Sequence, residues 1–232
     1  MQKFLWLGAA AAAALGFISS TLPAGPPSPA RPFAQLPPHF EPTGSEGVYM
    51  ARGAGFALEL GAQGARVRLA RGTEHANLGL TLEGSAARAA QPEHRLPGVS
   101  NYFLGRDSRG WRAGVPHYER VRYQEVYPGV DLVYYGAGRE LEYDFLVAPG
   151  ADPTRIQMSY DGASSVRIDA AGDLRIAVPG GEVVHRRPRT FEVAEDGARR
   201  RVASAYRILR QSGRALVTFD IGRLKTVPRQ AH

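Results

Sequence analysis

Residues 118–153 read YERVRYQEVYPGVDLVYYGAGRELEYDFLVAPGADP, with apolar side chains alternating with charged ones between Pro-Gly and Gly-x-Gly breaks. A period of two sends neighbouring side chains to opposite faces of an extended backbone. The block therefore dictates half-buried antiparallel strands joined by tight turns. Leu141, Tyr143, Phe145 and Val147 share one face, and Glu140, Glu142 and Asp144 share the other.

The same rhythm runs through the rest of the chain. It predicts strands at 47–52, 56–61, 65–70, 78–83, 99–104, 118–123, 130–135 and 140–147. Beyond Pro149-Gly150 it predicts 155–160, 165–169, 173–178, 182–186, 190–193, 201–209 and 215–221. Asp161-Gly162, Ala171-Gly172, Gly180-Gly181, Asp196-Gly197 and Ser212-Gly213 supply hairpin turns. Residues 85–97 read as a loop with room for one helical turn over 86–90, and residues 105–114 as an ordered loop. The expected fold class is all-β: an antiparallel β-sandwich, as one large or two small units, with Gly-rich hairpin turns. No repeat of propeller-blade length appears.

The N-terminus reads as an export signal. Lys3 precedes an uncharged apolar run over residues 4–18, followed by small and turn-forming residues. The run is shorter than the roughly 20 residues of a comfortable membrane span. Cleavage is expected after Ala24, with Ser20 and Ala30 as alternatives. Eight of the 17 prolines lie between Pro23 and Pro42, so residues 25–39 are expected to be an extended, disordered leader. The expected organisation is thus a signal peptide over 1–24, this leader over 25–39, a β-sandwich domain over 40–222 with a subdivision near 98 or 148 left open, and a tail over 223–232.

The chain has no cysteine, so an exported product relies on its core rather than on disulfides. No transmembrane anchor is expected after signal cleavage. The formal charge is +7, and all but Lys3 and Lys225 of the 29 basic residues are arginine. Most alternate with apolar residues, as in Ala65-Arg66-Val67-Arg68-Leu69, which describes a solvated strand face. A basic surface could bind nucleic acid, acidic polysaccharide or lipid head groups, but charge alone argues for solubility rather than for a partner, and no specific nucleic acid is expected.

Several runs belong together: Val99-Ser-Asn-Tyr-Phe-Leu-Gly105, Trp111-Arg112, Val115-Pro116, Val126-Tyr-Pro-Gly-Val-Asp-Leu-Val-Tyr-Tyr-Gly136, Leu141-Glu-Tyr-Asp-Phe145 and Pro149-Gly-Ala-Asp-Pro153. With Phe40-Glu41-Pro42 upstream and Gly172-Asp-Leu174 downstream, they resemble the uncharacterised N-terminal domain of secreted bacterial proteins that carry SBBP-type β-propeller repeats. The resemblance implies an extracellular β-rich module and implies no catalytic residues. Two departures stand out. Thr43-Gly44-Ser45-Glu46 replaces the family's Asn-x-Gly-Gln. The stretch from Phe219-Asp220 to Val227-Pro228 replaces its Pro-Leu-Val-Ile-Asp-Pro run into repeats, so a stand-alone or truncated version is expected.

Candidate sites are few. Glu142 and Asp144, about 7 Å apart along a strand, suit acid–base work on a glycosidic bond, but a polar strand face balanced by cross-strand arginines such as Arg120, Arg122 or Arg139 is the preferred explanation. His39, His75, His94, His117, His185 and His232 show no His-x-His or His-x-x-x-His spacing, so no metal site and no cofactor are expected. Tyr118, Tyr123, Tyr134, Tyr135 and Trp111 form an aromatic concentration able to stack on sugar rings if exposed. Arg186, Arg187 and Arg189, with Arg199-Arg200-Arg201, form a second candidate patch for an anionic glycan or lipid.

The function expected from this pattern is an exported, non-catalytic module of the bacterial envelope or cell surface, in the periplasm or outside the cell. Adhesion, scaffolding or glycan contact would be its work, with a cell-envelope glycan or another surface protein as partner. The alternatives are a carbohydrate-active enzyme using the carboxylate pair, and an anionic-polymer-binding module.

Overall fold

The alternation over residues 118–153 folds as expected, into three consecutive antiparallel strands, β8 (Arg112–Tyr127), β9 (Val130–Ala137) and β10 (Glu140–Val147). The computed structural model describes residues 4–12 and 37–222, apart from 54, 72, 73, 195 and 212. In chain order the other strands are β1 (Phe4–Ala12), β2 (Phe40–Pro42), β3 (Tyr49–Gly53), β4 (Phe56–Gly61), β5 (Gly64–Arg71), β6 (Glu74–Leu82) and β7 (Gln91–Tyr102). After β10 come β11 (Met158–Asp161), β12 (Ser165–Ile168), β13 (Leu174–Val178), β14 (Gly181–His185), β15 (Arg189–Val193), β16 (Arg199–Val202), β17 (Ser204–Gln211) and β18 (Arg214–Ile221). Every pairing is antiparallel, and the described residues contain no α-helix.

One layer runs β2-β3-β4-β5-β6-β11-β18-β17. The other contains β9 and β10 and continues through β1 to β15-β16 and to β14-β13-β12. Strand β8 belongs to both layers: Tyr118 pairs with Phe40 of β2, whereas Arg120 to Tyr127 pair with β9. The register shifts between Tyr123 and Tyr127, where Glu125 takes a positive φ. A bulge of this kind bends and twists the strand, while the change of partner itself falls between Tyr118 and Arg120, beside the register shift of β7 between Arg95 and Val99. The sheet is not closed into a barrel.

A single apolar cluster lies between the layers. Phe40, Leu58, Leu60 and Val121 meet Tyr143, Phe145, Ile156, Met158, Ile176, Val217 and Phe219, none more than 2 % exposed. Phe145 of β10 meets Phe219 of β18 edge to face at 5.9 Å, across layers that share no ladder there. Buried tyrosines bring their hydroxyls to partners: Tyr123 donates to the Gly61 carbonyl at 3.1 Å, Tyr127 to that of Glu83 at 2.9 Å, and Tyr206 to that of Arg186 at 3.0 Å. The hydroxyls of Tyr143 and Tyr160 lie 3.0 and 3.3 Å from Nδ1 of the buried His185.

The sequence reading and the structure part in several places. Residues 91–97, read as loop, begin the twelve-residue strand β7. It pairs only with β8, carries Pro92 and Pro97, and is mostly exposed, so it has no core face to impose alternation. The strand expected at 201–209 breaks at Ala203, where the chain leaves β15 as partner for β18. Residues 153–155 form a 3₁₀ turn capped by Asp152, so the strand expected from 155 begins at Met158. The apolar run read as an export leader is, over Phe4–Ala12, a strand hydrogen-bonded to β10 on one side and to β15 and β14 on the other. The cleavage positions Ser20, Ala24 and Ala30, nearly all of the Pro-rich leader, and the tail over 223–232 lie outside the described residues.

Burial pushes the His185 imidazole down to about 4 from the ordinary 6.5. Below pH 6.5 the unfolded chain takes up a proton there that the folded chain refuses. The stability contributed is therefore complete above pH 6.5 and lost as the pH falls toward 4, about 3 kcal/mol in all. Urea unfolding at pH 7 and pH 4.5 is expected to show most of this loss, and His185→Gln to flatten the difference.

Candidate functional site

Two copies of one short pattern meet where β8 changes layer. Pro38-His39-Phe40-Glu41 leads into β2, and Pro116-His117-Tyr118-Glu119 lies in β8. Phe40 pairs with Tyr118, so antiparallel register sets Glu41 directly across from His117. Phe40 is fully buried, so the alternate side chains His39 and Glu41 share the opposite face. Gly136, at the end of β9, lets this segment in. A Cβ there would lie 2.1 Å from the Pro38 carbonyl oxygen.

The side chains converge on one carboxylate. Glu41 is only 7 % exposed. Its Oε1 lies 3.2 Å from His39 Nε2, 3.1 Å from His117 Nε2 and 2.7 Å from Ser100 Oγ. Its Oε2 accepts from the Tyr102 hydroxyl, with Arg52 Nη1 at 3.6 Å. The rings of His39 and His117 overlap at 4.0 Å between centroids, tilted by 31°. Tyr102 lies between the guanidinium groups of Arg52 and Arg112, at 5.7 and 5.8 Å. Arg112 also donates to the Pro42 carbonyl, tying β8 to the end of β2.

Burial pushes the Glu41 carboxyl up. Hydrogen bonds from Tyr102, Ser100 and His39 and the charge of His117 outweigh it, leaving the carboxylate below its ordinary range. Burial and then the charge of His39 push His117 down, against the pull of Glu41. Burial and the hydrogen bond to Glu41 push Tyr102 up, so it stays a donor. The arrangement is a charged acceptor beside a ring that favours its neutral form.

A serine relay is the wrong description of this cluster. A relay needs the serine on one imidazole nitrogen and the carboxylate on the other. Here Ser100 Oγ, at 2.8 Å, and Glu41 face the same nitrogen of His117. The backbone at Gly98 crowds Nδ1, where an added Cβ would lie 3.0 Å away.

The residues nominated from the sequence are scattered. Tyr123 and Tyr134 are buried, T-stacked at 6.2 Å, and line a cavity of about 150 Å³ beneath Ala62–Gly64 and Ser85–Arg88. Tyr118 is half-buried against Tyr49. Tyr135 is half-buried and donates to Glu142 Oε2 at 3.0 Å. Burial, then the Asp144 and Glu142 carboxylates, push its phenol far up, so it holds its proton. Asp144 is itself buried, and neither acid lines the cavity under Ser85–Arg88. Arg186 reaches Asp173 Oδ2 at 3.4 Å, the Arg187 amide donates to Asp173 Oδ1 at 2.8 Å, and Arg189 is exposed on β15. Arg200 is paired with Glu192 at 3.0 Å.

Trp111 alone among the nominated aromatics is exposed, at 44 %. It sits at the tip between β7 and β8 with Phe103 (61 %), Leu104 (74 %) and, at the hairpin's flank, Val99 (48 %). Phe103 meets it edge to face at 5.3 Å, and its indole N–H donates to the Gly105 carbonyl at 3.3 Å. A 3₁₀ turn over Ser108–Gly110 holds the tip, with Asp107 accepting from the Arg109 amide and from its guanidinium. The strand expected at 99–104 stops at Tyr102, which leaves Phe103 and Leu104 in solvent.

The tyrosine-rich block drew the sequence reading away from the Glu41 cluster. Its signal was the repeated Pro-His-aromatic-Glu, in which a buried aromatic forces its neighbours onto one outer face. Gly136→Ala is expected to push Pro38–Glu41 off β8, costing roughly 1–3 kcal/mol in urea unfolding and separating the two imidazoles.

Residues 41–227 match the family model described as domain of unknown function, DUF7948. No curated protein and no solved structure matches the chain.

Proposed function

From the premise that the chain belongs to the DUF7948 family, we propose an exported, non-catalytic β-sandwich module that docks another protein of the bacterial envelope. The exposed tip between β7 and β8 carries this reading. Three large apolar side chains, Phe103, Leu104 and Trp111, stand in solvent on a loop that internal hydrogen bonds keep in shape. Contiguous apolar surface of this kind marks a contact site. Leucine and valine beside the aromatic pair gain little from a sugar ring, whereas they match the apolar centre of a protein interface. The exposed Arg106 at the rim suits an acidic partner.

The apolar run after Lys3 supports export, as does the likeness to secreted proteins with SBBP-type repeats. N-terminal sequencing of the protein recovered from cells tests that part, with cleavage after Ala24 expected. The enzyme reading fares worse: its acid pair is part buried and part hydrogen-bonded to a phenol that keeps its proton.

The chain has only two tryptophans, Trp6 and Trp111, so a product cleaved after Ala24 reports the tip through a single indole. Its emission is expected to shift to the blue on mixing with envelope fractions. Prior protease treatment of the fraction should abolish the shift. Phe103→Ser with Leu104→Ser should weaken it while changing stability by no more than about 0.5 kcal/mol. An equal shift with protein-free vesicles or purified envelope glycan would overturn the protein-docking reading.

A further inference from the structure

We infer that His39 Nε2, His117 Nε2 and Glu41 Oε1 form a three-ligand site for a divalent transition cation, zinc by ligand type. This site is independent of the docking reading. The three ligand atoms all lie within 4.8 Å of one another. With metal–ligand bonds of about 2.0–2.1 Å, the edge of a coordination tetrahedron is about 3.4 Å. The carboxylate oxygen lies 3.2 and 3.1 Å from the two nitrogens, close to that edge.

The polar atoms crowd one carboxylate oxygen. Glu41 Oε1 has three neighbours at 3.2 Å or less: His39, His117 and Ser100. Ser100 donates to Glu41 at 2.7 Å, and its oxygen can accept from His117 Nε2 at 2.8 Å only in the tautomer that carries the proton there; the other tautomer aims the Nε2 lone pair into the cluster. A cation satisfies the carboxylate and both imidazole lone pairs at once. Two imidazoles and a carboxylate favour zinc and its first-row neighbours over magnesium or calcium, which prefer all-oxygen cages.

The surroundings look built for ligands. Tyr102 donates to the free oxygen Oε2, fixing which oxygen faces the nitrogens, and Arg52 in turn donates to the Tyr102 hydroxyl at 3.2 Å. Outer partners of this kind orient ligands and tune affinity. His39 and His117 are only partly buried, which leaves an entry path, while Glu41 is buried.

The test uses tag-free protein stripped with a chelator, then titrated with Zn²⁺ against a chromophoric chelator. One equivalent per chain is expected, and Co²⁺ in its place should give visible bands of a four- or five-coordinate ion that Zn²⁺ displaces. His39→Ala and His117→Ala should each weaken binding by more than about a hundredfold, and Tyr102→Phe by about tenfold. His94→Ala, whose ring is exposed and contacts Glu119 at 3.3 Å, should bind as the parent does. Melting of each metal-free variant checks its fold, with His39→Asn and His117→Asn as replacements where alanine fails. No stoichiometric uptake, equal uptake by the His39/His117 double variant, or a six-coordinate Co²⁺ spectrum each overturns the site.

Discussion

The architecture depends on one strand serving two sheets. The Arg112–Tyr118 half of β8 takes β2 on the edge that its Arg120–Tyr127 half gives to β9. The exchange of partner falls between Tyr118 and Arg120. Because β8 turns the corner, Phe40 enters the core from one side while Tyr143 and Phe145 enter from the other. The same bend brings Glu41, at the rim of one layer, across from His117. Core and polar cluster are thus products of a single pairing, Phe40 with Tyr118.

Legibility in the sequence followed burial. The strands at Phe56–Gly61 and Glu140–Val147 lie between other strands with one face on the core, so the period of two was written plainly. Strand β7 is an edge with little buried face, so only its end over 99–102 was legible and its 91–98 part was not. The polar cluster left only the repeated Pro-His-aromatic-Glu, with no spacing within one segment, because its side chains come from strands far apart in the chain, joined by register alone. Register is decided by which apolar residues the core accepts, and that is a property of the fold. The apolar tip was half legible: Trp111 stood out, but Phe103 and Leu104 looked like strand residues until the ladder was seen to end at Tyr102.

The chemistry sorts itself by depth. Tyrosines in the core use their hydroxyls on carbonyls and on His185, so their number reflects packing. The carboxylates of β10 are quieted by burial and by Tyr135. At the root of the β7–β8 hairpin, Tyr102 donates to Glu41, and Arg112 lies over the Tyr102 ring and donates to the Pro42 carbonyl.

Strand β1 has a consequence of another kind. Its backbone fills the gap between β10 on one side and β15 and β14 on the other. Whatever displaced this one segment would bare the facing rows of N–H and C=O groups on both flanks, turning a sealed interior into two open borders.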